Sequence, residues 1–109
     1  MVELKEKTLE VVIVEDYKLT RFGLKATLND FEGITVVGEA ENAEEGLKII
    51  ERTKPDVVLM DLGLPGMNGI EATQKLKEIS PDSKVIILTS HEREEEVVAA
   101  GSGALVVVR

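Results

Sequence analysis

Three short apolar runs in this chain each end on side chains that carry oxygen. Val11-Val12-Ile13-Val14 leads into Glu15 and Asp16, Val57-Val58-Leu59-Met60 into Asp61, and Val85-Ile86-Ile87-Leu88 into Thr89 and Ser90. Such runs read as parallel strands buried on both faces. In an open α/β sheet the ligand crevice lies beyond the carboxyl ends of the strands. Three acids and a hydroxyl are therefore expected to meet at one edge, in a pattern suited to a hard cation and phosphoryl transfer. Magnesium takes one or two carboxylates and keeps several waters, so Asp16 and Asp61 are expected as direct ligands, with Glu15 acting through water. Close carboxylates repel and raise one another's pKa unless a cation compensates them. Asp61 would then be the nucleophile, forming an aspartyl phosphate. The cation would neutralise charge developing on the phosphoryl group, and Thr89 would hydrogen-bond one of its oxygens. Taken singly, an aspartate at a strand end is an ordinary cap and Thr-Ser an ordinary turn. The coincidence after three separate strands is what favours a site.

The elements that must position these groups alternate along the chain. After a charged lead, Met1 to Glu10, the first strand covers Val11 to Val14. A helix is expected from about Tyr17 to Phe31, with Leu19, Phe22 and Ala26 spaced for one buried face. Ile34 to Val37 makes a second strand after the Gly33 turn. Asn42, with Glu45 three residues on, forms a capping-box pattern before a helix that turns Leu47 and Ile50 inward. Pro55 precedes the third strand. Asn68 and Glu71 repeat the capping pattern before a helix carrying Leu76 and Ile79. Ser80-Pro81-Asp82 is a turn into the fourth strand, Lys84 to Leu88. A short acidic helix, about Glu92 to Ala100, precedes a last apolar run, Ala104 to Val108. Strands alternating with helices predict a parallel sheet with right-handed crossovers.

Composition narrows the classes further. The 109 residues suit one domain. Thirteen basic residues against 21 acidic leave a net charge of −8, without the clustered basic face of a nucleic-acid binder. The absence of cysteine rules out disulfides and thiolate metal sites. No run reaches the length of a membrane span, and the lead is too charged for a secretory signal. A soluble, cytoplasmic protein is expected.

Val11 to Asp16 resembles the first strand and acidic pair of bacterial response-regulator receiver domains. Pro55-Asp56-Val57-Val58-Leu59-Met60-Asp61-Leu62-Gly63-Leu64-Pro65-Gly66-Met67-Asn68-Gly69-Ile70-Glu71 is similar, nearly residue for residue, to that family's phosphoacceptor segment. Val85 to His91 resembles its fourth strand and switch hydroxyl. The wording is closest to receivers of LuxR/NarL-type regulators, and the resemblance runs from about Leu9 to Val98, with residues 99–109 atypical. It implies a flavodoxin-like doubly wound parallel sheet of strand order 2-1-3-4-5. It also implies transfer of phosphate from a sensor histidine kinase onto Asp61, with Mg2+ held by Glu15, Asp16, Asp61 and the backbone carbonyl of Gly63. Thr89 would be the switch residue.

The tail departs from the family's pattern. About a turn of helix is missing before Gly101-Ser102-Gly103, and Leu105 or Val106 stands where the fifth strand usually has an aromatic. Arg109 is the nearest counterpart of the usual lysine, and a planar fork is no neutral replacement for a compact ammonium. With no residues for a fifth helix, a bare face and an open fifth strand are expected to favour self-association. His91 reads as a helix cap, and Glu92 to Glu96 as a solvated helix start or a partner surface. Gly63, Gly66 and Gly69 are not a dinucleotide fingerprint, because prolines interrupt the loop. The expected function is a phosphoacceptor receiver module rather than a turnover enzyme, binding no nucleic acid by itself. A pseudo-receiver scaffold that no longer switches stays open. A magnesium-dependent haloacid-dehalogenase-type phosphatase stands further back, since it wants a second aspartate where Gly63 stands.

Overall fold

The computed structural model describes residues 8–61, 63–64, 66–67, 69–89 and 105–108. Five strands and three helices alternate: β1 (Leu9–Val14), α1 (Lys18–Asn29), β2 (Ile34–Ala40), α2 (Ala43–Thr53), β3 (Val57–Asp61), α3 (Gly69–Ile79), β4 (Lys84–Thr89) and β5 (Leu105–Val108). All pairings are parallel, and the order is β2-β1-β3-β4-β5, as the sequence implied. The acidic segment Glu92 to Ala100, His91, Asn68 and Arg109 lie outside the described residues.

Side chains alternate across the sheet and give it two unequal faces. Val12, Val14, Val58, Met60, Val85 and Ile87 point to one side and join Ala43, Ile50, Ala72 and Leu76 of α2 and α3 in the buried core. Leu47 and Ile79 pack on its margin, as expected. On the other side Val11 and Ile13 are buried, whereas Val57, Leu59, Ile86 and Leu88 are only half-buried. Among the described residues, α1 is the helix that covers β1 and β2 without joining that core.

Local chemistry accounts for the boundaries. The Asn42 side chain accepts a hydrogen bond from the Glu45 amide at 2.8 Å, capping α2, with Glu44 and Glu45 in its first turn. The helix ends on Lys54 in the left-handed region, φ 47°, and the Lys54 ammonium donates to the Ile79 carbonyl. At the amino-terminal edge of the sheet, Asp56 accepts from the Glu10 amide at 2.9 Å, and its own amide returns the bond to the Glu10 carbonyl. The Ser83 hydroxyl donates to the Pro55 carbonyl.

Two expectations need correction. The second strand runs three residues past Val37, because a bulge absorbs one residue: Val11 faces Val36 and Val12 faces Gly38. The expected inward stripe of α1 faces outward, with Leu19 81% and Phe22 69% exposed and Ala26 exposed as well. Thr20, Arg21, Leu24 and Leu28 are half-buried instead and share one side at 3.6 residues per turn. The reason is polar. The Arg21 guanidinium bonds the Glu15 carbonyl at 2.7 Å and Glu39 at 3.1 Å, turning its own side of the helix to the sheet. The far end is fixed by Asn29, which accepts from the Val36 amide at 3.2 Å.

Two glycines test this packing. A Cβ on Gly46 would lie 2.8 Å from Cγ2 of Val14, whereas one on Gly23 would meet nothing within 4 Å. Gly46→Ala should therefore destabilise the fold by about 1–3 kcal/mol through overpacking. Gly23→Ala should stabilise it by up to about 1 kcal/mol through helix propensity. Urea unfolding of both variants beside the parent checks the opposite signs.

Candidate functional site

The parallel register builds the site. Val14 pairs with Met60 and Asp61 with Leu88, so Glu15 follows β1 beside Asp61 at the end of β3. Thr89 ends β4 one residue beyond Leu88; its side chain and Ser90 lie outside the described residues. Carboxylate oxygens of Glu15, Asp16 and Asp61 all come within 4.8 Å of one another, with Glu15 buried, Asp61 half-buried and Asp16 exposed. The three expected acids are thus brought together, graded from core to solvent.

The turns on either side hold the acids by their own backbone. The Glu15 amide donates to the Ala40 carbonyl at 3.0 Å, which extends the sheet by one bond. The Tyr17 amide donates to Oε2 of Glu15 at 3.1 Å, bending the chain so that Asp16 is displayed outward. After β3, the Gly63 amide donates to Oδ1 of Asp61 at 3.1 Å. Gly63 is thereby tucked against the cluster, and a Cβ there would still clear the nearest atom by 3.9 Å. Gly66 has φ +75°, a left-handed conformation that a residue with a side chain adopts only with strain.

Electrostatics shows what the arrangement lacks. The Glu15 carboxyl is pushed up from 4.5 to about 7, first by burial. The Tyr17 amide opposes this, while the charge of Asp61 and hydrogen bonding with Asp16 and Asp61 add to it. A fold that stacks three acids so closely is short of positive charge, and its donors are all carboxylate oxygens. That set suits a hard divalent cation. The sequence pattern alone does not single out Arg21, whose Nη1 reaches the Glu15 carbonyl from α1. An arginine on a helix carries no signal until the helix is placed.

The raised carboxyl fixes a pH dependence. The unfolded chain releases this proton near 4.5 and the folded one near 7. Stability from protonated Glu15 is therefore complete below about 4.5 and lost as pH rises through about 7. The loss should reach about 3 kcal/mol without divalent cations. Glu15→Gln should remove that part of the slope and be the more stable protein above neutrality. Urea titrations of parent and variant at about pH 5 and about pH 8 in chelator measure the difference, and parallel curves would refute it.

Comparison with known proteins agrees with this geometry. Residues 11–106 match the response regulator receiver domain model. The chain is 45% identical over 86 residues to the response regulator GacA of Pseudomonas aeruginosa, covering 79% of this chain and 40% of that protein. It is 39% identical over 90 residues to the nitrate/nitrite response regulator NarL of Escherichia coli, covering 83% of this chain and 42% of that protein. It thus spans about two fifths of the length of these relatives. A two-component response regulator of the LuxR family from an Aurantimonas species superposes with a TM-score of 0.83 at 33% identity, over 92% of this chain and 72% of that one. The receiver domain of a putative NarL from Mycobacterium tuberculosis gives 0.81 at 27% identity, over 91% and 80%. No described helix is long and apolar enough to cross a membrane. In sequence and topology, the chain belongs to the response regulator receiver domain family.

Proposed function

We propose that this chain is a phosphoacceptor module that takes a phosphoryl group from a sensor histidine kinase onto Asp61 and responds by changing shape. The observation that carries the reading is the convergence of Glu15, Asp16 and Asp61 within 4.8 Å at the carboxyl ends of β1 and β3. Receivers as a family are signalling domains, and the three acids supply a nucleophile and the cation ligands that phosphorylation of an aspartate calls for. Asp61 is half-buried, reachable from solvent yet oriented by the Gly63 amide. One lone pair of its carboxylate forms the new O–P bond as the N–P bond of phosphohistidine breaks, and the electron pair returns to the imidazole nitrogen. Asp16 and Asp61 would hold Mg2+ directly, with the Gly63 carbonyl as a further ligand. Glu15, buried behind them, would act through water. When bound, Mg2+ supplies the positive charge that offsets the developing phosphoryl charge. The Thr89 hydroxyl, at the end of β4, donates to a phosphoryl oxygen and couples its presence to the segment that follows. This chain covers about two fifths of the length of the response regulators it is similar to, and the function proposed for it includes no DNA recognition of its own.

Two outcomes follow from the assignment. Asp61→Asn keeps nearly the same shape but has no nucleophilic carboxylate, so intact mass after acetyl phosphate and Mg2+ should show the phosphoryl adduct in the parent and none in the variant. A long-lived adduct identifies a receiver. Rapid multiple turnover identifies a phosphatase, and no adduct identifies a scaffold. Asp16→Asn should weaken Mg2+ binding more than Glu15→Gln, by about tenfold or more, because a direct carboxylate is lost rather than one acting through water. Calorimetric titration with MgCl2 orders the three proteins, and equal affinities would sink the ordering.

A further inference from the structure

We infer that Arg21 is a positioning residue for the acidic cluster: it braces the Glu15 peptide against β2 and so sets where Glu15 and Asp16 present their carboxylates. This rests on the proposed metal-dependent reading of the site. The Arg21 side chain is only 13% exposed. Its Nη1 donates to the Glu15 carbonyl at 2.7 Å and its Nε to Oε1 of Glu39 at 3.1 Å. Lys25 holds the second oxygen of Glu39 at 2.8 Å. Next to Glu39, the Ala40 carbonyl accepts from the Glu15 amide at 3.0 Å. The Glu15 backbone is therefore held at both its amide and its carbonyl, and the hold closes on itself through the adjacent residues Glu39 and Ala40 of β2. The Arg21 amide donates to the Tyr17 carbonyl at 2.9 Å, which ties the start of α1 to the same turn. One planar fork thus links three elements around the acids, with a fixed two-point geometry that a compact ammonium does not have.

Charge and geometry make opposite demands here, which makes the inference decidable. A cation this close to a cation site repels Mg2+, so if Arg21 acted through charge, Arg21→Gln would tighten Mg2+ binding. If it acts by placing the carboxylates, the same substitution weakens binding. Partners that orient metal ligands are typically worth ten- to a hundredfold in affinity.

Calorimetric titration of the full chain with MgCl2 should show Arg21→Gln weaker than the parent by about tenfold, with Arg21→Lys between them. Amide hydrogen exchange without metal should quicken at Glu15 and Tyr17 while the β3 amides stay as protected as in the parent. Affinity unchanged or tighter in Arg21→Gln overturns the inference. Should that variant fail to fold, Arg21→Lys decides: it keeps the charge, so an affinity equal to the parent's overturns the brace and a weaker one supports it. Equal quickening across β3 would mark general loosening and overturn it too. A parent that binds no Mg2+ would instead defeat the proposed function, and this inference with it.

Discussion

Val14 lies opposite Met60 in the parallel pairing of β1 with β3, and the residues that follow each of them are acids. Everything distinctive about the molecule hangs on that register. A slip of one residue would turn the core-facing set of a strand to the other face of the sheet. Val12, Val14, Val58 and Met60 all lie in the core beneath α2 and α3, so the packing that excludes water also forbids the slip. The apolar layer thereby forces like charges together at the sheet's edge. Close approach of α2, possible because residue 46 is glycine against Val14, clamps β1 immediately before the first of those acids.

Such a fold works against itself when no cation is present. Burial and the neighbouring acids keep Glu15 protonated well above the ordinary carboxylate range. Yet the same stacking is what a doubly charged ion and a phosphoryl group require. The site is therefore graded: a buried acid behind, a half-buried acid in the middle and an exposed one in front. Asp16 faces solvent on the open side, while Glu15 stays buried behind it.

Much of this is legible in the chain because it depends on local signals. Apolar runs mark the strands, the Asn42 cap marks α2, and acids placed directly after two runs must meet once those strands are parallel neighbours. The rotation of α1 is not legible in the same way. Leu19, Phe22 and Ala26 form a regular stripe, but Leu24 and Leu28 form another, and periodicity cannot choose between them. The choice is made by Arg21, whose acceptors are a backbone carbonyl and a carboxylate eighteen residues away. The carboxylate is no target until β2 is in place. The bulge in β2 escapes for a similar reason, since Val36, Val37 and Gly38 give no sign of which of them is the extra residue. Arg21 and Glu39 read as ordinary surface charges until the structure joins them.

The attachment of Asn29 to the Val36 amide has a consequence for how copies of this protein can meet. β2 is an outer strand of the sheet, paired with β1 alone, and outer strands are templates for adding another chain. Here one of its backbone donors is already occupied by a side chain from α1, and Glu39 further along is engaged by Arg21 and Lys25. A foreign strand would have to displace the Asn29 side chain before it could pair with the Val36 amide. Strand addition at that point is thus opposed by the folded state itself, through the same helix that carries Arg21.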